Sequence, residues 1–196
     1  RQGQEWRAAG LPDLTIAVNV SLHQFLLTDI AGATAEALAE SGFPAQQLEL
    51  EITESALAEQ PEEALAVLNR LRGLGLRLAI DDFGTGYSSL AHLKRFPLDL
   101  LKIDQSFIRD IPHNCDDMTI SSSVIALGHA MGLKVLAEGV ETQQQLEFLQ
   151  SKGCDFFQGY FCSRPLPAQD FAQLLEKARN GEPLVKVQVC KDDVMI

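Results

Sequence analysis

The sequence predicts an α/β fold, a TIM-type (β/α) barrel with about six of its eight strands present. Three observations predict it. Short apolar, strand-like runs alternate with helical stretches along the 196 residues. The strand–helix unit recurs at intervals of about 20–35 residues, which implies parallel strands joined by right-handed crossovers. Each of six runs ends in a carboxylate, a carboxamide or a lysine. An open doubly wound sheet gathers its polar groups at one switch point, whereas a barrel carries them at the C-terminal end of every strand.

Taken in order, residues 1–10, with Trp6, read as the end of a helix. TIAVNVS (15–21) is the first strand and carries Asn19. Residues 23–41 have helical apolar spacing and stop at Gly42. LELEITE (48–54) is a strand with Glu51 and Glu54. The helix over 61–74 has Glu62 and Glu63 in its first turn and Arg70 and Arg72 near its end, signs that suit the helix dipole. RLAIDDFG (77–84) brings Asp81 and Asp82, and a helix over 88–96 follows. LLKID (100–104) brings Lys102 and Asp104, and KVLAEGVE (134–141) brings Glu138 and Glu141. Helices over 116–131 and 142–152 stop at Gly132 and Gly153. CDFFQGY (154–160) carries Gln158, and a last helix spans 167–179. The domain is read as residues 1–180, with 181–196 as a C-terminal extension, either a strand or a frayed tail. A barrel needs eight strands and typically ~250 residues, so two N-terminal βα units are expected to be missing. The chain starts at Arg1, which reads as a fragment or a processed product.

Bulk composition narrows the function. At 46% hydrophobic the chain has ample core material, and its net charge of −11 leaves no basic patch for DNA, RNA or an anionic membrane. A phosphate-ester substrate would need cations to be received by so acidic a protein. Cys115, Cys154, Cys162 and Cys190 show no CxxC spacing and read as reduced thiols. The most apolar stretch, 120–137, is interrupted by Ser121, Ser122, Ser123, His129 and Lys134, so no membrane insertion is expected from this segment.

The strand ends supply the chemistry. Asn19, Glu51, Asp81, Asp82 and Glu138 are hard oxygen donors with no His or Cys among them, which selects Mg²⁺ or Mn²⁺ over Zn²⁺. Two such ions about 3.5–4 Å apart suit phosphodiester cleavage. Neighbours on a strand face opposite sides, so Asp81 and Asp82 share the site only where the chain begins to turn. Lys102 can hold the attacking water or offset transition-state charge, and Asp104 shares its face. Gln158 suits reading a base edge or fixing a water. The FGTGYSS loop (83–89) reads as a lid or an interface loop. A single Asp at a strand end is more commonly a helix cap than a ligand, and Glu54 and Glu141 can each brace a loop. Asp82-Phe83-Gly84 matches a kinase triplet by letter only, with no HRD or VAIK beside it.

Together VNVS (18–21), LELEITES (48–55), AIDDFGTGYSSL (79–90), LKID (101–104), AEGVET (137–142) and QGYFCSRPLP (158–167) resemble the EAL domain family of bacterial cyclic di-GMP phosphodiesterases. The resemblance implies a modified β/α barrel that hydrolyses cyclic di-GMP to linear pGpG with two Mg²⁺ or Mn²⁺ ions. It implies metal binding by Asn19, Glu51, Asp81, Asp82 and Glu138, with Glu138 also cast as general base. Lys102 would position the water, and Gln158, Asp104 and Pro165 would contact substrate. Glu54, with Glu141, would anchor loops. A homodimer through the DDFGTGYSS loop and the following helix is expected, as is fusion to a GGDEF or sensory domain. The expected location is cytoplasmic, with the parent protein tethered to the inner membrane as an alternative. The family's early Glu-Ala-Leu strand has no counterpart here, since Glu36-Ala37-Leu38 falls in the helix after Asn19. A truncated module that binds the nucleotide or a protein partner without turnover is the competing expectation.

Overall fold

A computed structural model describes residues 1–11, 14–86 and 90–180. Helix α1 (Gln2–Ala8) leads into strand β1 (Ile16–Val20), then α2 (Leu22–Leu27) and α3 (Ile30–Ser41). Strand β2 (Leu48–Thr53) is followed by α4 (Glu54–Glu59) and α5 (Pro61–Gly73), and β3 (Arg77–Phe83) by α6 (Leu90–Leu93). Then come β4 (Leu100–Ile103), α7 (Cys115–Ala130), β5 (Lys134–Ala137), α8 (Gln143–Ser151), β6 (Phe156–Phe157) and α9 (Ala168–Arg179).

All six strands are parallel and lie in the order β1-β2-β3-β4-β5-β6. Every crossover therefore advances in one direction, and right-handed crossovers then place the helices on one face. That is the wall of a barrel, not a doubly wound sheet. Alternation along the strands sorts the side chains. Leu50, Ile52, Leu78, Ile80, Leu101, Ile103, Val135 and Ala137 join one core with helix residues such as Leu68, Ile125 and Leu149. The opposite, inner face holds a separate small cluster of Ala79, Leu100 and Leu136, with Phe156 against it. Each fully buried Leu or Ile contributes about 1.5–3 kcal/mol, so the helix-facing side supplies most of the stabilisation. The inner face is left free to carry polar groups.

Among the described residues β1 and β6 do not pair, so the sheet is not closed. The region of α1 nevertheless meets α9. Trp6 lies 5.1 Å from Phe171, ring centre to ring centre, and the Arg179 guanidinium donates to the Gly10 carbonyl at 3.2 Å. A cavity of about 420 Å³ is lined by Ala17, Asn19 and Glu51 from one edge and by Gln158 and Phe171 from the other.

Three helix expectations change. The helix expected over 23–41 is two, because Asp29 caps α3 by accepting from the Gly32 N–H at 3.2 Å. The short α4, which begins at Glu54, has no counterpart among the sequence expectations. The helix expected over 88–96 is confined to Leu90–Leu93, and residues 88–89 lie outside the described residues. The strand-or-tail expectation for 181–196, with Cys190, also lies outside them. Cys115, Cys154 and Cys162 are free thiols. Among the described residues no helix is long and apolar enough to cross a membrane.

Candidate active site

Alternation places Glu51 of β2, Asp81 of β3 and Lys102 of β4 on the inner face, near the C-terminal ends of their strands. Glu138 follows β5 directly. Lys102 is only 3% exposed, and its ammonium donates to Glu51 Oε1 at 2.8 Å, Asp81 Oδ1 at 3.0 Å and Glu138 Oε1 at 2.7 Å. An ammonium has three hydrogens, so all are used. Burial opposes the charge, but the hydrogen bonds the ammonium donates to Glu138 and Glu51, with their negative charges, outweigh it and hold Lys102 above its ordinary range. Glu138 is itself raised, first by burial and then by the charges of Asp81 and Glu51, against the pull of Lys102.

Asp82 reaches the same cluster through an irregular backbone. The β3–β4 register shifts between Ile80 and Phe83, and Asp82 has φ 53°, the left-handed region. This breaks the strict alternation that would send Asp82 to the opposite face. Its carbonyl accepts from the Thr85 hydroxyl at 2.8 Å, which holds the bend. Carboxylate oxygens of Asp81, Asp82 and Glu138 consequently lie within 4.8 Å of one another. Burial raises the Asp82 carboxyl above its ordinary value, and neighbouring Asp81 and Asp104 raise it further.

These groups fit a divalent cation. Every donor is oxygen, and when ionised Glu51, Asp81, Asp82 and Glu138 bring four negative charges against the single positive charge of Lys102. The uncompensated charge and the hard donor set match Mg²⁺ or Mn²⁺.

The other candidates take different positions. Asn19 is paired in register with Glu51, is exposed, and lines the cavity with Gln158. Asp104 accepts from the Ser106 N–H at 2.9 Å, capping a 3-10 turn over Gln105–Phe107 beside Asp82. Glu54 is buried and accepts from the backbone of Gly84 at 2.9 Å and Gly86 at 3.2 Å, so its carboxylate grips the loop after Asp82. Pro165 is exposed on the loop between β6 and α9. The carboxylate of Glu141 is exposed too, and only its N–H takes part in holding its loop.

That anchoring falls instead to Gln145, which sequence reasoning missed. Gln145 is buried; its oxygen accepts from Glu141 and Thr142 at 2.8 and 2.9 Å, and its amide donates to the carbonyls of Ile108 and Arg109 at 3.1 and 3.0 Å. It ties the loop after Glu138 to the loop after Lys102. The available signal was the Thr142-x-x-Gln145 capping-box spacing. Glu49 was also missed: two residues before Glu51 on the same face, it is 1% exposed, and its Oε1 has no partner. Burial, then the Glu51 charge, push it up to about 7. Gly159 has no room for a side chain, since a Cβ there would lie 2.2 Å from the Val140 carbonyl oxygen.

Known proteins resemble this chain in sequence and fold. The EAL domain family matches residues 1–165. Cyclic di-GMP phosphodiesterase NbdA of Pseudomonas aeruginosa is 47% identical over 171 residues, covering 87% of this chain and 22% of that protein. The solved MucR phosphodiesterase–cyclic di-GMP complex of Pseudomonas aeruginosa superposes with a TM-score of 0.84 at 42% identity, covering 87% of this chain and 69% of that one. Klebsiella pneumoniae BlrP1, solved with manganese and cyclic di-GMP, gives 0.75 at 34% identity, with 84% and 41% covered. This chain spans about a quarter or less of the length of NbdA and MucR. With matching sequence along its first 165 residues and the same fold, the chain belongs to the EAL domain family.

Proposed function

We propose that the domain to which this chain belongs hydrolyses cyclic di-GMP to linear pGpG with the help of two Mg²⁺ or Mn²⁺ ions. The observation that carries this reading is Lys102 buried among Glu51, Asp81 and Glu138, with Asp82 turned toward the same oxygens. Asn19, Glu51, Asp81, Asp82 and Glu138 would hold the ions, which when bound supply a nucleophile at neutral pH and charge for the leaving oxygen. Lys102 would give up one carboxylate to a bound cation, and the hydrogen so released would orient the attacking water while the ammonium offsets charge building on the phosphoryl oxygens. Glu138, 2.7 Å from Lys102, would take the water's proton. Water oxygen bonds to phosphorus, the bond to the 3′ oxygen breaks, and that oxygen takes a proton from solvent as it leaves. Gln158, Asp104 and Pro165 contact the substrate, while Glu54 keeps the loop after Asp82 in place. Loop 81–89 and α6 form a homodimer surface, where Leu90 is 55% exposed; residues 87–89 of that loop lie outside the described residues. A GGDEF or sensory domain is fused in the whole protein, which works in the cytoplasm.

The outer edge of β1, which pairs with no strand among the described residues, favours a second reading, a module that binds cyclic di-GMP or a protein without turnover. Incubating the chain with cyclic di-GMP and Mg²⁺ or Mn²⁺, then separating substrate from pGpG, decides between them. Turnover abolished by EDTA and by Glu51→Ala supports the enzyme. Tight binding without turnover supports the module, and neither binding nor turnover removes both.

A further inference from the structure

Cyclic di-GMP carries two phosphodiesters, and the cluster around Lys102 serves only the one being cleaved. Lys102 has no hydrogen left for the other, since all three point at carboxylates. Two arginines sit on the loops that follow β4 and β6. Arg109 lies 3.5 Å from the neighbouring Asp110 carboxylate. Arg164 makes no ion pair with a carboxylate among the described residues; its guanidinium instead lies 4.4 Å from the centre of the Tyr160 ring.

The loop that carries this stack is fixed to the site. The Gln158 carbonyl accepts from Val140 at 3.0 Å, the Phe161 N–H donates to Val140 at 2.9 Å, and Cys162 closes a turn on Gly159 at 3.0 Å. Val140 is two residues beyond Glu138, and Gln158 lines the cavity beside Glu51. Tyr160 and Arg164 are thus held at the same end of the sheet as the acids, both exposed to solvent. A guanidinium held over a ring by its π face leaves N–H donors for the fork geometry that binds a phosphate through two hydrogen bonds. We propose that the Arg164–Tyr160 stack recognises the second phosphodiester of cyclic di-GMP and so selects a cyclic dinucleotide over a simple diester. The proposal rests on the phosphodiesterase reading above.

The test compares cyclic di-GMP with bis(p-nitrophenyl) phosphate, which has a single phosphodiester, across Arg164→Ala, Arg164→Lys and Tyr160→Ala. Arg164→Ala should raise KM for cyclic di-GMP about tenfold, the loss expected for one charge-assisted bidentate contact. KM for the simple diester should stay put. Arg164→Lys should recover less than half of the loss, because an ammonium neither forks nor stacks in the same way. Tyr160→Ala should raise KM about threefold through the loosened guanidinium. Where turnover is absent, the Kd for cyclic di-GMP in Mn²⁺ should shift by the same factors. Arg164→Ala indistinguishable from wild type on cyclic di-GMP overturns the proposal and leaves the function standing, as does equal damage to both substrates. A wild-type chain that neither binds nor cleaves cyclic di-GMP overturns both.

Discussion

Two lysines of the same sheet meet carboxylates in opposite ways. Lys134, at the N-terminal end of β5, is 65% exposed and donates to Asp155 at 2.7 Å. Asp155 also accepts from the Val135 N–H at 2.9 Å and faces His129 Nε2 at 2.8 Å. There one carboxylate is surrounded by donors, and its lone pairs are satisfied. At the other end of the strands Lys102 is one donor group surrounded by acids. The first arrangement is electrically complete and joins the end of α7 to β5 and β6. The second has more acceptors than protons and calls for added positive charge. Similar residue types therefore make a satisfied ion pair at one end of the sheet and an acid-rich cluster at the other.

The largest effect expected from this contrast is on turnover. Asp81→Ala or Lys102→Met should lower kcat by about 10³-fold or more, as losses from a unit acting in the transition state do. Asp155→Asn should leave kcat within about twofold, and a comparable collapse there would erase the distinction. Next in size is folding without metal. Lys102→Met strands buried carboxylates and should cost about 3–5 kcal/mol in EDTA, read by urea denaturation. Mn²⁺ should restore much of that loss if cations can substitute for the ammonium.

Metal itself should then separate the two ends in the wild type. At 100 times its Kd, Mn²⁺ adds about 2.7 kcal/mol, or a rise in Tm of roughly 5–10 °C for a domain of this size. Asp155→Asn should keep that rise and Asp81→Ala should lose it; an equal rise in both would place the cation elsewhere.

The smallest effect is pH dependence, and its sign differs between the ends. Burial works against the Asp155 charge, but Lys134, His129 and the Val135 N–H hold its carboxyl below 3.8. Its contribution is complete above that value and is lost as pH falls through the lower folded value. Asp82 and Glu138 are raised instead, so in metal-free protein their ionisation opposes folding. Acidification toward their ordinary values of 3.8 and 4.5 should therefore stabilise it. Urea midpoints between pH 7 and pH 5 in EDTA should rise for wild type and rise less for Asp82→Asn.

Much of this was legible in the sequence because it depends on local patterns. The strand order follows from the alternation of strand and helix, and Gly42, in the left-handed conformation, ends α3 where the sequence placed a stop. The break between α2 and α3 was hidden because apolar spacing runs through it; the Asp29 cap outweighed the periodicity. Lys102 and its acids were each visible singly, but their mutual contacts depend on the register of four strands. The orientation of Asp82 was not legible, since a left-handed φ on a residue other than glycine leaves no mark in composition. Gln145 shows only its capping spacing in the sequence, since its bonds to the Ile108 and Arg109 carbonyls depend on how the loop after Lys102 packs against α8.

Asp82 also sets a condition for anyone transplanting this chemistry. Copying the Asp-Asp pair onto an ordinary strand of another scaffold would present one carboxylate inward and the other outward. The graft must carry the backbone irregularity after Ile80 and the Thr85 hydroxyl that holds it. It must also carry Glu54, which grips Gly84 and Gly86 from a different strand end. The smallest portable unit of this site is a bent segment with its clamp, and the dipeptide alone is not portable.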